Sequence, residues 1–169
     1  MTAVTPFHVS VSRPDAPALR VVAPVAGRAP LFPNARADAS GRLFEMQHAF
    51  RSTGGVITGD ALTGVLRRRS DQPLSLLARW IVNRDVVSFE AHGQTWLPMF
   101  QFDPATLSVG RAVQQVIGEL RDVFDDWELT EWFASPNSWL DGVTPANALA
   151  SDADAVVQAA RADRFVAAG

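Results

Sequence analysis

The feature that most constrains this chain is a change of hydrophobic period that occurs once. From Leu43 onward, apolar residues recur at the three- and four-residue spacing of helices, except between about residues 86 and 97. There Val87, Phe89 and Ala91 alternate with Ser88 and Glu90, and Thr95-Trp96-Leu97 returns after His92-Gly93. That dipeptide can supply a two-residue turn, which sets Phe89 across from Trp96, and Pro98 ends or edges the second strand. The fold expected is mainly α: a helix-turn-helix-like helix pair, one short β-hairpin, then a C-terminal helical bundle.

The helical segments carry their own boundaries. Leu43, Met46, Ala49 and Phe50 share a stripe that Gly54-Gly55 stops. Thr58 is a good N-cap, and Ile57 with Leu62 has the spacing of a hydrophobic staple. Ala61, Leu62, Val65 and Leu66 are the expected buried stripe of that helix. After the charged connection 67–72, Pro73 opens a helix with Leu74, Leu77, Ala78 and Ile81 inward, and with Leu76 and Trp80 near the outward side. Val109, Val113, Val116, Ile117, Leu120 and Phe124 line a helix resuming near Ser108. Asp125 and Glu128 read as a capping box for a short helix that buries Leu129, Trp132 and Phe133. Pro136-Asn137 ends it, Thr144-Pro145 starts another, and Ser151 or Asp152 caps the last, with Val156, Val157, Ala160 and Phe165 inward.

Residues 1–42 hold six of the eleven prolines and no sustained period, so this arm is expected to be extended or disordered, with a short strand available at Leu19–Val22. The expected division is an arm at 1–42, a helix-turn-helix-like region with hairpin at 43–95, and a helical domain at 96–169.

Composition narrows the function. Without cysteine there is no disulfide scaffold, thiolate metal site or cysteine nucleophile. His8, His48 and His92 are far apart, and none has ligand spacing to a carboxylate. No run of about 18 apolar residues and no secretory signal is present, so a cytoplasmic, non-enzymatic protein without a cofactor is expected. The carboxylate pairs Asp125/Asp126 and Glu128/Glu131 are accounted for by cap and helix-surface positions. All 15 basic residues are arginine, which reads as codon bias. Their distribution is uneven: residues 1–92 carry +4 and residues 93–169 carry −7, suggesting two faces with different partners.

Two segments are candidates for binding. The helix pair followed by a hairpin has the order of a helix-turn-helix with a wing. Arg67, Arg68, Arg69, Arg79 and Arg84 surround its second helix, with Ser75 and Asn83 on the outer face, as phosphate and base contacts require. The bland alternative is a helical hairpin with a solvated arginine rim. The second candidate is Trp127, Trp132 and Trp139 among Asp125, Asp126, Glu128, Glu131 and Asp141, an aromatic cluster with an acidic rim suited to a basic protein partner. Trp132 is assigned to the core, leaving Trp127, on a more exposed edge, and Trp139, which either packs over its turn or anchors the partner, as the candidate anchors.

The pieces Trp96-Leu97-Pro98-Met99-Phe100-Gln101-Phe102-Asp103, Asp126-Trp127-Glu128, Trp132-Phe133, Pro136-Asn137, Trp139-Leu140-Asp141-Gly142, Thr144-Pro145 and Leu149 occur in an order that resembles the toxin-binding domain of the Xre/MbcA/ParS antitoxin family. The resemblance covers about residues 96–165. It implies an all-helical domain that binds and neutralises a RES-type, NAD-consuming toxin, and an upstream helix-turn-helix that represses the operon. On this reading the partner surface is drawn from Trp127, Glu128, Glu131, Asn137, Trp139, Asp141, Arg161 and Arg164, the two arginines approaching the toxin's active site. The long arm and the six-residue connection 67–72 depart from the family pattern. The alternative is a stand-alone DNA-binding transcriptional regulator whose C-terminal domain mediates dimerisation. A homo-oligomer is expected in either case.

Overall fold

The structure, a computed structural model, describes residues 39–169, with side chains from Ser40 on; the arm 1–38 and its strand Leu19–Val22 lie outside the described residues. Seven α-helices and a three-stranded antiparallel sheet form this region: α1 Ala39–Ala49, β1 Val56–Thr58, α2 Gly59–Leu66, α3 Pro73–Val82, β2 Phe89–Ala91, β3 Gln94–Pro98, α4 Arg111–Leu120, α5 Asp126–Ala134, α6 Pro145–Ala148 and α7 Ala153–Ala167. The mainly helical reading is therefore correct. Helix α1 begins four residues ahead of Leu43, so the arm boundary at 42 falls inside it.

The hairpin forms as the alternation required. Phe89 pairs with Trp96 across β2 and β3, and the turn places His92 at φ 53° and Gly93 at φ 68°, the left-handed pair of a type I′ turn. The sheet also has a third strand that the sequence reading did not anticipate. β1 adds to the far side of β3, with Ile57 opposite Leu97, to give the order β1-β3-β2. Thr58 closes this strand and also caps α2, its hydroxyl accepting from the Ala61 amide at 3.2 Å.

Strand alternation turns the two faces of the sheet toward two cores. Val56, Phe89, Ala91 and Trp96 face the larger, which takes Met46 and Phe50 from α1 and the inner sides of α4, α5, α6 and α7. Ile57 and Leu97 face the smaller, built with Leu62, Leu66 and Leu77 of α2 and α3 and with Phe102 and Leu107. The larger core thus draws α1 and β2 from the N-terminal side of residue 95, across the division expected there.

Packing on the small core turns α2 and α3 from their expected orientation. In α2 the buried side chains are Leu62, Thr63 and Leu66, while Ala61 and Val65 are exposed. In α3 Leu77 is buried and Leu76, Trp80 and Ile81 pack beside it, whereas Leu74 and Ala78 lie outside, Leu74 68% exposed. The cause is Phe102, whose ring lies 5.9 Å from that of Trp80 and draws that edge of the helix inward.

The C-terminal helices follow their caps. Asp125 and Glu128 form both bonds of the capping box, Thr144 caps α6 ahead of Pro145, and Asp152 caps α7. Helix α4 starts at Arg111 instead of near Ser108, because Val109 is engaged in a β-bridge with Phe102. Phe165, expected inward, is 81% exposed, since α7 runs past its neighbours in the last turn. Among the described residues no helix is long and apolar enough to cross a membrane.

Candidate partner and nucleic-acid surfaces

The arginine-rich connection continues α2 as a chain of turns, with the amides of Arg67, Arg68 and Arg69 bonded to the carbonyls of Thr63, Val65 and Leu66. This winding leaves the three side chains exposed. Ser75, Arg79 and Asn83 are exposed on α3, as expected. They share that helix surface with Leu74 and with Val82, the latter 80% exposed. A face of this kind offers few polar groups to base edges and more apolar area than a groove reader needs.

Arg84 does not join them. It sits in the left-handed region at φ 54°, and its guanidinium is turned inward across the molecule. Nε bonds Asp126 at 2.7 Å, one terminal nitrogen bonds the Phe124 carbonyl at 2.8 Å and the other the Arg121 carbonyl. It therefore caps the C-terminal end of α4, where a cation is favoured by the helix dipole, and ties that end to the start of α5. Its guanidinium is thus engaged within the molecule, unlike those of Arg67, Arg68 and Arg69.

Asp103 lies beyond β3 in a tight loop. Its carboxylate is held below its ordinary value chiefly by the Thr106 amide and then by the Thr106 hydroxyl, with Arg69 a minor favourable charge.

The two candidate tryptophan anchors prove unlike. Trp127 is half-buried on the large core, its ring edge-on to Phe89 at 5.8 Å and its other face under Arg42 at 5.0 Å. Trp127 thus joins α5 to α1 and β2, and is more enclosed than Trp139. Glu128 is spent on the capping box. Burial raises the Glu131 carboxyl above its ordinary value, against the lowering effects of Trp127 and Arg42.

Asp163 is the centre of the other site. Its carboxylate accepts from Trp132 Nε1 at 2.7 Å, from Asn137 Nδ2 at 2.8 Å and from Trp139 Nε1 at 3.2 Å. Asn137 is buried, and its Oδ1 accepts the Trp139 amide at 2.9 Å, which holds the turn. Trp139 itself is 61% exposed although its ring nitrogen and its backbone are both fixed. Asp141, with φ 54°, is exposed beside it, as is Val143. On α7 the exposed Val166 lies one turn beyond Asp163. Arg161 and Arg164 are both drawn to Glu119 of α4, at 2.9 and 2.8 Å, while remaining half exposed.

Sequence reasoning missed Asp163, Glu119 and Arg42. Asp163 was detectable, because it falls seven residues after Val156 on the inner stripe of α7, where a carboxylate calls for buried donors. No local signal marks Arg42 or Glu119, whose partners lie on other helices. Among the described residues no group of three or more His, Asp or Glu side chains could hold a metal ion. No family model, curated protein or solved structure matches this chain.

Proposed function

We propose that this chain is an antitoxin-like binding protein whose C-terminal helices engage and neutralise a RES-type, NAD-consuming toxin, with DNA binding through the α2–α3 unit as a second role. The observation that carries the binding reading is Trp139. An indole held at its nitrogen by Asp163 and at its backbone by Asn137 is ordered before any partner arrives, so little side-chain entropy is lost on binding. Large aromatic side chains of this kind are typical interface anchors. The toxin class rests on the ordered motif pieces between Trp96 and Leu149. The test is a pull-down with the tagged full chain from its native cell, followed by Trp139→Ala. A stoichiometric partner is expected, and its affinity should fall by at least about 2 kcal/mol in the variant while thermal unfolding hardly changes. No partner, or full-strength binding by the variant, counts against the proposal.

One observation favours the alternative, a stand-alone DNA-binding regulator whose C-terminal helices dimerise. The element order α1-β1-α2-α3-β2-β3 with sheet order β1-β3-β2 is that of a winged helix, and Arg67, Arg68 and Arg69 are exposed beside it. Replacing these three by alanine should weaken DNA binding on all sequences alike and flatten its salt dependence. Absence of any gel shift by the wild-type chain at low salt removes DNA from both readings.

A further inference from the structure

A cleft of about 720 Å³ opens where the turn after α1, the turn after β3, the start of α4 and α6 meet. That volume is within the range of about 300–1,000 Å³ common to sites for small organic ligands. Its floor is apolar: Phe100 stacks on Phe50 at 5.4 Å and meets Phe133 at a tilt at 4.8 Å, with Phe102 and Leu149 beside it. At the rim, Ser52 Oγ donates to Asn147 Oδ1 at 2.9 Å, bridging the two walls and setting their separation. Arg111 is the only charged side chain of the lining, and it has no ion-pair partner among the described residues.

We propose that this cleft binds a small organic acid with an aromatic or branched apolar body. The carboxylate pairs with the Arg111 guanidinium, whose planar fork matches its two oxygens, and the body lies on Phe100, Phe102 and Leu149. A single cation against an apolar floor suits a monoanion. None of the lining residues belongs to the Trp139 surface, so this site stands or falls independently of the function proposed above.

The test uses the isotope-labelled full chain titrated with 3-phenylpropionate and with its neutral counterpart 3-phenylpropan-1-ol, followed by amide chemical shifts. The acid is expected to bind with a Kd of about 0.1–1 mM, a fragment-sized affinity, and to move the amides of Gly54, Ala112 and Leu149. The alcohol should bind about fivefold more weakly, the worth of one partly exposed ion pair. Arg111→Ala should erase that difference. Ala150→Trp, which fills the cleft from its exposed rim, should weaken both ligands by about fivefold or more. Because Arg111 and Ala150 are exposed, both variants should keep the dispersed spectrum of the parent. The proposal is overturned by no saturable shift, by shifts that map elsewhere, by equal affinity for acid and alcohol, or by unchanged binding in Ala150→Trp.

Discussion

The two faces of the small sheet support cores of very different size. One faces 20 buried residues from α1, β2 and the four C-terminal helices, the other only 7 around α2 and α3. The large core includes fully buried Trp132, Phe133, Phe50 and Met46, while α2 and α3 leave Val65, Leu74 and Val82 in solvent. Stability follows buried apolar area, so the molecule should hold its C-terminal helices more firmly than its α2–α3 unit, although the two share one sheet. The unit with exposed arginines is thus also the one with the least to lose on opening.

The largest expected effect tests that difference directly. Trp132→Ala removes a large ring from the main core and a donor from Asp163, and should destabilise the whole chain by about 3–5 kcal/mol in chemical denaturation. Leu62→Ala, in the small core, should cost about 2 kcal/mol and act locally. Hydrogen exchange should then quicken over residues 59–82 while α4 and α7 keep their protection. Equal losses of protection in both regions by Leu62→Ala would break the two-core description.

Next comes the junction between the cores. Gln101 is fully buried and closes a gap in the sheet, its Oε1 accepting from the Val87 amide at 2.7 Å and its Nε2 donating to the carbonyls of Val87 and Pro98. Gln101→Leu would strand the Val87 amide in an apolar site, at about 1–3 kcal/mol. Urea denaturation should show this as one cooperative loss. Two separate transitions would sharpen the comparison, by showing that Gln101 is what joins the cores.

Arg84→Ala should cost less, about 1 kcal/mol, because its partner Asp126 is largely exposed while the α4 carbonyls regain water. A loss well above that would mean that Arg84 fixes the angle between the α2–α3 unit and α4 in a way that packing alone does not.

The smallest effect is electrostatic. The folded-state pKa of Glu131 is raised, so the stability it contributes is present below the ordinary carboxylate range and is lost as pH rises through the raised value. At neutral pH the ionised, half-buried group is a net cost. Glu131→Gln should therefore stabilise the chain slightly at pH 7 and leave it unchanged at pH 3. A loss at pH 7 would mean that the charge of Arg42 dominates over burial.

What was legible in the sequence was local. The Asp125–Glu128 capping box, the Thr58 cap and the His92-Gly93 turn each depend on residues within four positions of one another, and each formed as read. What was not legible depended on distant partners. β1 has three residues, too few to show alternation, and it exists because β3 has a free edge. The rotation of α3 follows from Phe102, about twenty residues away. Trp127 was read as open because Arg42 and Phe89, which cover it, come from α1 and β2. Among the site residues, Trp139 proved the exposed aromatic of the cluster, whereas Asn137 and Arg84 turned out to be bonded inward.

The composition of the large core sets the order in which the chain can fold during synthesis. Its first helix, α1, buries Met46 and Phe50 against residues that reach as far as Ala160. At about 5–20 residues added per second, α1 leaves the ribosome on the order of ten seconds before α7 can close the core over it. During that interval Met46, Phe50 and Phe89 have water, one another or a chaperone as neighbours. A chain stopped before α7 would keep its arginine-bearing helix pair but not the core to which the sheet is fastened, so truncated products should be targets for proteolysis and not half-active proteins.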